Sequence, residues 1–146
     1  MTSTASSGAN TLMEAVNNLC NDGNITFSIP ANSTITFASQ ATLNRSLFIN
    51  GTTATNLTVS GGDTHRIFEV TNDATARMAG FTISNGNGFD GTTNGAMGAM
   101  LVSAGATALL TRMTIANSRG QQELFCKITP LWATRPRRLI MGAACI

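Results

Sequence analysis

Residues 56–62, NLTVSGG, are written a second time at residues 80–86 as GFTISNG and a third time at residues 112–118 as RMTIANS. Each copy runs apolar, Thr, apolar, small, then turn residues. Side chains alternate faces along a strand, so the two apolar residues of a copy point one way and its Thr points the other. A second series interleaves with the first: Ile67, Phe68, Glu69, Val70 lies between copies one and two, and Met100, Leu101, Val102 between copies two and three. The expected unit is two short strands and two turns. Leu57 to Phe81 is 24 residues, Phe81 to Met113 is 32, and Ile67 to Met100 is 33. Both series therefore slip at the same place, the Gly- and Asn-rich run over residues 85–98.

A unit of this size cannot bury its own apolar face, which points to a stacked array. Short β units with such turn chemistry point to a β-solenoid. Stacking sets equivalent strands side by side and in parallel, so Thr58, Thr82 and Thr114 form an outward column, to which Thr26 and Thr36 are added as further members. Other strands are expected at Ile25–Thr26–Phe27, Ile35–Thr36–Phe37 and Leu47–Phe48–Ile49, with turns marked by Pro30 and Asn32, Gln40 and Asn44, and Asn50 and Gly51. Starts ten to twelve residues apart also suit an antiparallel sandwich. The near-copy at every second strand favours the solenoid.

The chain has 146 residues, 42% apolar and 11% charged, with 14 Gly and no Tyr. That is one domain's worth of chain, enough for a core and better suited to close-stacked coils than to a helical bundle. Residues 1–9 read as a flexible leader. Over residues 10–23 a capping helix is expected: Thr11 and Glu14 form a capping box, Leu12, Val16 and Leu19 share a face, and Gly23 supplies the stop. Such a helix covers the open apolar end of the first coil. The β-helix coils then occupy residues 24–118. No apolar run approaches the ~20 residues a membrane span needs, and the N-terminus lacks a signal-peptide pattern.

Net charge is +2, but residues 1–118 carry four Arg against six acids, and residues 119–146 carry five basic residues against Glu123 alone. That atypical basic tail holds Trp132, Pro130, Pro136, Cys126 and Cys145 and no copy of the repeat. It reads as a cap or, preferably, as an unrelated or frameshifted segment, which would leave the coil of residues 113–115 with an open edge. Cys20, in the helical pattern, reads as a small buried apolar residue.

The run GANTLMEAVNNLCNDG over residues 8–23, the strands after it, FTISNGN over residues 81–87 and the GAM pairs at residues 95–97 and 98–100 resemble the N-terminal part of bacterial proteins with a right-handed parallel β-helix. These are the pectin-lyase-like, adhesin, autotransporter-passenger and polymorphic outer-membrane-protein types. The resemblance spans about residues 8–118. It implies an all-β right-handed parallel β-helix in an exported protein, extracellular or on the bacterial outer surface, whose partners are host or environmental glycans or proteins. It carries over no catalytic residues.

Chemistry-bearing residues are few. Asp63 and Asp90 follow equivalent strands and, with Arg66 or Arg112 as the basic partner, form the one candidate constellation for polysaccharide lyase or glycoside hydrolase chemistry. Solvated turn aspartates are the commoner outcome. Residues 86–91 match G-x-G-x-x-G, but no helix pattern or ribose-binding acid follows, which excludes a dinucleotide site. The same residues match one copy of a calcium nonapeptide repeat, making Asp90 a weak calcium candidate. His65 and Asp63 alone are too few for a metal centre. The Thr column could suit a glycan or ice, although β-propensity explains it as well. No cofactor is expected, and a short basic tail does not argue for nucleic acid. The reading is a non-enzymatic, adhesin-like β-helix segment, a fragment of a longer repeat protein; the alternative is a fragment of a polysaccharide lyase or hydrolase.

Overall fold

The structure, a computed structural model, describes residues 1–89 and 97–120. One short helix, α1 (Leu12–Asn18), precedes eleven strands: β1 (Gly23–Thr26), β2 (Thr34–Thr36), β3 (Ala41–Leu43), β4 (Leu47–Asn50), β5 (Thr58–Ser60), β6 (Phe68–Val70), β7 (Thr75–Ala79), β8 (Thr82–Ser84), β9 (Met100–Val102), β10 (Thr107–Thr111) and β11 (Thr114–Ala116). Three sheets result, with orders β1-β4-β7-β10, β2-β5-β8-β11 and β3-β6-β9. Every pairing between these strands is parallel. The chain thus visits the three sheets in turn, and each set of three strands lays a new rung on the one before. Parallel neighbours need a crossover; here the other two strands of the rung supply it. That topology rules out the antiparallel sandwich.

The repeat series falls into register as the sequence spacing requires. Thr34, Thr58, Thr82 and Thr114 are successive partners across the second sheet, and Phe68 pairs with Met100 across the third. The 32-residue step between Thr82 and Thr114 keeps the register of the 24-residue steps. Within that longer step Gly86 and Gly98 lie backbone to backbone, and Gly98 also backs onto the Arg119 carbonyl; a Cβ at either glycine would collide with main chain. Arg119 N–H donates to Gly86 O at 2.7 Å.

The unit has three strands per rung, not two. β3, β7 and β10 escaped a reading based on near-copies, because their inward positions are filled by Ala as often as by larger residues: Ala41 and Leu43, Ala76 and Met78, Ala108 and Leu110. The period-2 pattern is present nonetheless.

The interior is a set of columns. Ile25, Ile49 and Met78 stack in the first sheet and Ile35, Val59 and Ile83 in the second, all at most 3% exposed. Phe68 and Met100 stack in the third, and the Phe37 and Phe68 rings meet edge to face at 5.6 Å between centroids. In the last described rung the equivalent Leu110 and Ile115 are only half-buried and the outward Leu109 is exposed; Val102, on β9 at the end of the third sheet, is exposed as well.

Turns between the first and second sheets place Asn32, Asn56, Gly80 and Arg112 at φ between 50° and 74°. Each stands two residues before the Thr column, and Asn56 Nδ2 donates to Asn32 Oδ1 at 2.9 Å. Asn tolerates this left-handed conformation because its short polar side chain bonds locally.

At the other end Thr11 caps α1, its Oγ1 accepting from Glu14 N–H at 3.2 Å, while Glu14 accepts from Asn10 N–H at 2.5 Å. Leu12 and Val16 join the core, and α1 packs on β3. Met1 lies beside the first rung, its O accepting from Ser28 N–H at 2.9 Å, and the Thr2 and Ser3 N–H groups donate to Asn10 O. Two expectations change here. The helix stops at Asn18 because Leu19 turns extended to pack on the core, and Gly23 opens β1 instead; the glycine is needed because a Cβ would strike the Leu19 side chain. Cys20, now beyond the helix, is exposed and unpaired with any described cysteine.

Candidate functional site

Asp63 and Arg66 leave the end of β5 in the same loop but serve different partners. Asp63 sits at φ 60°, its N–H donating to Asn85 O at 2.8 Å. Its carboxylate lies 3.5 Å from Arg119 Nη2, both side chains well exposed. A pair so open to water is worth well under 1 kcal/mol. Arg66 turns inward and is only 7% exposed. Its Nε donates to Met97 O at 3.0 Å and its Nη1 to Gln40 Oε1 at 3.1 Å. Gln40 Nε2 in turn donates to Glu69 Oε2 at 2.6 Å. Asp90 lies outside the described residues.

The buried guanidinium therefore belongs to a relay of Arg66, Gln40 and Glu69, which joins the second-to-third-sheet turn, the outer face of β6 and Met97, three residues before β9. Burying a guanidinium requires that its N–H groups find acceptors, and those found here clamp Met97 to the rung. Gln40 and Glu69 were not singled out as site residues from the sequence. The available signal was Glu69, a charge inside an apolar strand run.

His65 sits beside this relay. Its Nδ1 is 2.7 Å from Thr64 Oγ1, whose single proton also faces Gly61 O at 3.0 Å. With that proton on Gly61, Nδ1 carries the ring hydrogen by assignment. Nε2 is buried with no hydrogen-bond partner. Burial pushes the imidazole below its ordinary pKa of 6.5 by disfavouring the cation. Among the described residues, no group of three or more His, Cys, Asp or Glu side chains comes together to hold a metal ion.

Thr34, Thr58, Thr82 and Thr114 form one outward column on the second sheet. Thr36 belongs to the next column over, with Ser60, Ser84 and Ala116, and Thr26 lies in the first sheet opposite Asn50. The second column is not a flat hydroxyl surface. Ser60 and Ser84 are nearly buried, and Ser60 Oγ accepts from Gly62 N–H at 3.1 Å.

On the first sheet, Asn24, Phe48, Arg77 and Leu109 form the central outward column. Beside it the chain narrows to Ala79, flanked by Asn50 on one rung and Thr111 on the other. The result is an open depression of about 430 Å³. No helix among the described residues is long and apolar enough to cross a membrane. Compared with protein-family models, curated proteins and solved structures, the chain has no significant match.

Proposed function

We propose that this chain is a segment of a right-handed parallel β-helix that serves as a non-enzymatic scaffold, secreted or displayed on a bacterial outer surface in the manner of an adhesin, and presents outward columns to glycans or proteins. One observation supports the reading most directly: three in-register parallel sheets turn one side of each strand to a common interior and repeat the other at each rung, as in the column Thr34, Thr58, Thr82, Thr114. A surface repeated at the strand spacing of roughly 4.8 Å is rigid and extended, which suits contact with a repeating polymer.

The hydrolase or lyase alternative gains nothing from Asp63, whose described ionic partner is Arg119 rather than Arg66. The test has two arms. Purified chain is incubated with neutral and acidic polysaccharides, and new reducing ends or unsaturated products are followed; the scaffold reading expects none, and turnover would replace it with the enzyme reading. An antibody to the chain is applied to intact and permeabilised source cells. Labelling of intact cells or medium is expected, and labelling only after permeabilisation would overturn the surface assignment.

A further inference from the structure

The geometry points to a binding site for a small aromatic carboxylate in the depression on the outer face of the first sheet, a role separate from the scaffold reading. Its floor is Ala79, which ends at Cβ and is 6% exposed, while larger residues rise on both neighbouring rungs. Thr52 forms one wall and is fixed there by Gly80, where any Cβ would run into the Thr52 methyl and backbone. Phe48, half-buried, and Leu109, 43% exposed, give the apolar contact, separated by Arg77 in the same column.

Charge decides the ligand's sign. Arg77 and Arg112 both line the depression and no acid does. Among the described residues neither guanidinium has a hydrogen bond or ion pair; the one ion pair there belongs to Arg119 and Asp63. Guanidinium forks match carboxylate geometry, and stacked aromatic contact adds to the attraction.

The remaining side-chain acceptors favour a sugar less. A saccharide needs acceptors for its hydroxyl hydrogens, but Asn50 Oδ1 already accepts from Thr52 N–H at 3.2 Å and Thr52 Oγ1 at 2.6 Å. A ring whose one polar group is an anion satisfies the two arginines, while the exposed Thr52 and Thr111 hydroxyls stay open to water.

Phenylacetate titrated into the full-length, isotopically labelled chain and followed by amide chemical shifts tests this. The expected result is saturable shifts centred on Phe48, Arg77 and Leu109, weakened about fivefold or more in Arg77→Gln and likewise in Arg112→Asn, which keeps a residue suited to the left-handed turn. Neutral phenylacetamide and glucuronate should each bind at least about fivefold more weakly than phenylacetate. A circular-dichroism melt confirms that both variants remain folded. Non-saturating shifts, equal binding of phenylacetamide, tighter binding of glucuronate, or unchanged affinity in both folded variants would each overturn the proposal.

Discussion

Replacing Ile83 by Ala and, separately, Ile115 by Ala probes the same column at two depths. Ile83 is 0% exposed, with β5 on one side and β11 on the other. The substitution removes three carbons, about 2.4 kcal/mol of transfer free energy at ~0.8 kcal/mol per group. Neighbours on both sides hold the cavity open, which brings the loss to about 3–4 kcal/mol. Ile115 is the register partner one rung on, half-buried and, among the described strands, paired on one side only. About half the transfer term and little of the cavity term apply, giving roughly 1–1.5 kcal/mol. Urea titration of the full chain measures both, with the slope required to stay constant so that midpoint shifts can be read as stability. Losses agreeing within ~0.5 kcal/mol, or a larger loss at Ile115, would refute the reasoning that burial falls off along the stack.

Three further substitutions follow from named contacts. Gly98→Ala sets a methyl against the Arg119 and Gly86 carbonyls; because the obstacle is backbone, it should cost about 2–3 kcal/mol, measured by the same titration, and a neutral result would contradict the close approach of these three backbones. Asn56→Ala forces a β-carbon without a local acceptor into φ 53° and breaks the bond to Asn32, at about 1–2 kcal/mol, whereas Asn56→Gly should stay within about 1 kcal/mol of the parent; equal melting shifts for the two would contradict the left-handed column. His65 has a depressed pKa when folded, so above pH 6.5 it is neutral in both states and contributes no pH dependence. Below that value the unfolded chain takes up the proton first, and stability falls as pH falls until the folded pKa is passed. His65→Gln should remove that part of the acid-side slope in melts recorded across the range; an unchanged slope would show that other groups set it.

The strands bearing the repeated copies were legible because their inward positions are bulky and branched. Val59, Ile83 and Ile115 announce themselves, and the near-copies around them, 24 and 32 residues apart, fix a parallel register that no single strand could specify. β7 was harder to see, since Ala76 fills an inward place and Arg77 breaks the apolar run while facing outward. The end of α1 was misread for a related reason: Gly23 looks like a helix stop, but its small size serves the packing of Leu19. Site chemistry was the least legible. Asp63 and Arg66 are three residues apart, yet one points to water and Arg119 and the other into the Gln40–Glu69 relay, a choice made by the rung and not by the spacing. Asp90 and the tail from residue 121 onward lie outside the described residues. The depression beside Arg77 arises from Ala79 lying between larger neighbours on adjacent rungs, a relation that appears only once the register is known.

The central claim is that strands three apart in order pair in parallel and in register. Methyl-labelled nuclear Overhauser spectroscopy on the full chain tests it directly. The account predicts contacts linking Ile35 to Val59 and Val59 to Ile83 along one column, and Ile49 to Met78 along another. Contacts that instead join successive strands in an antiparallel ladder, with Val59 and Ile83 mutually silent, would contradict it.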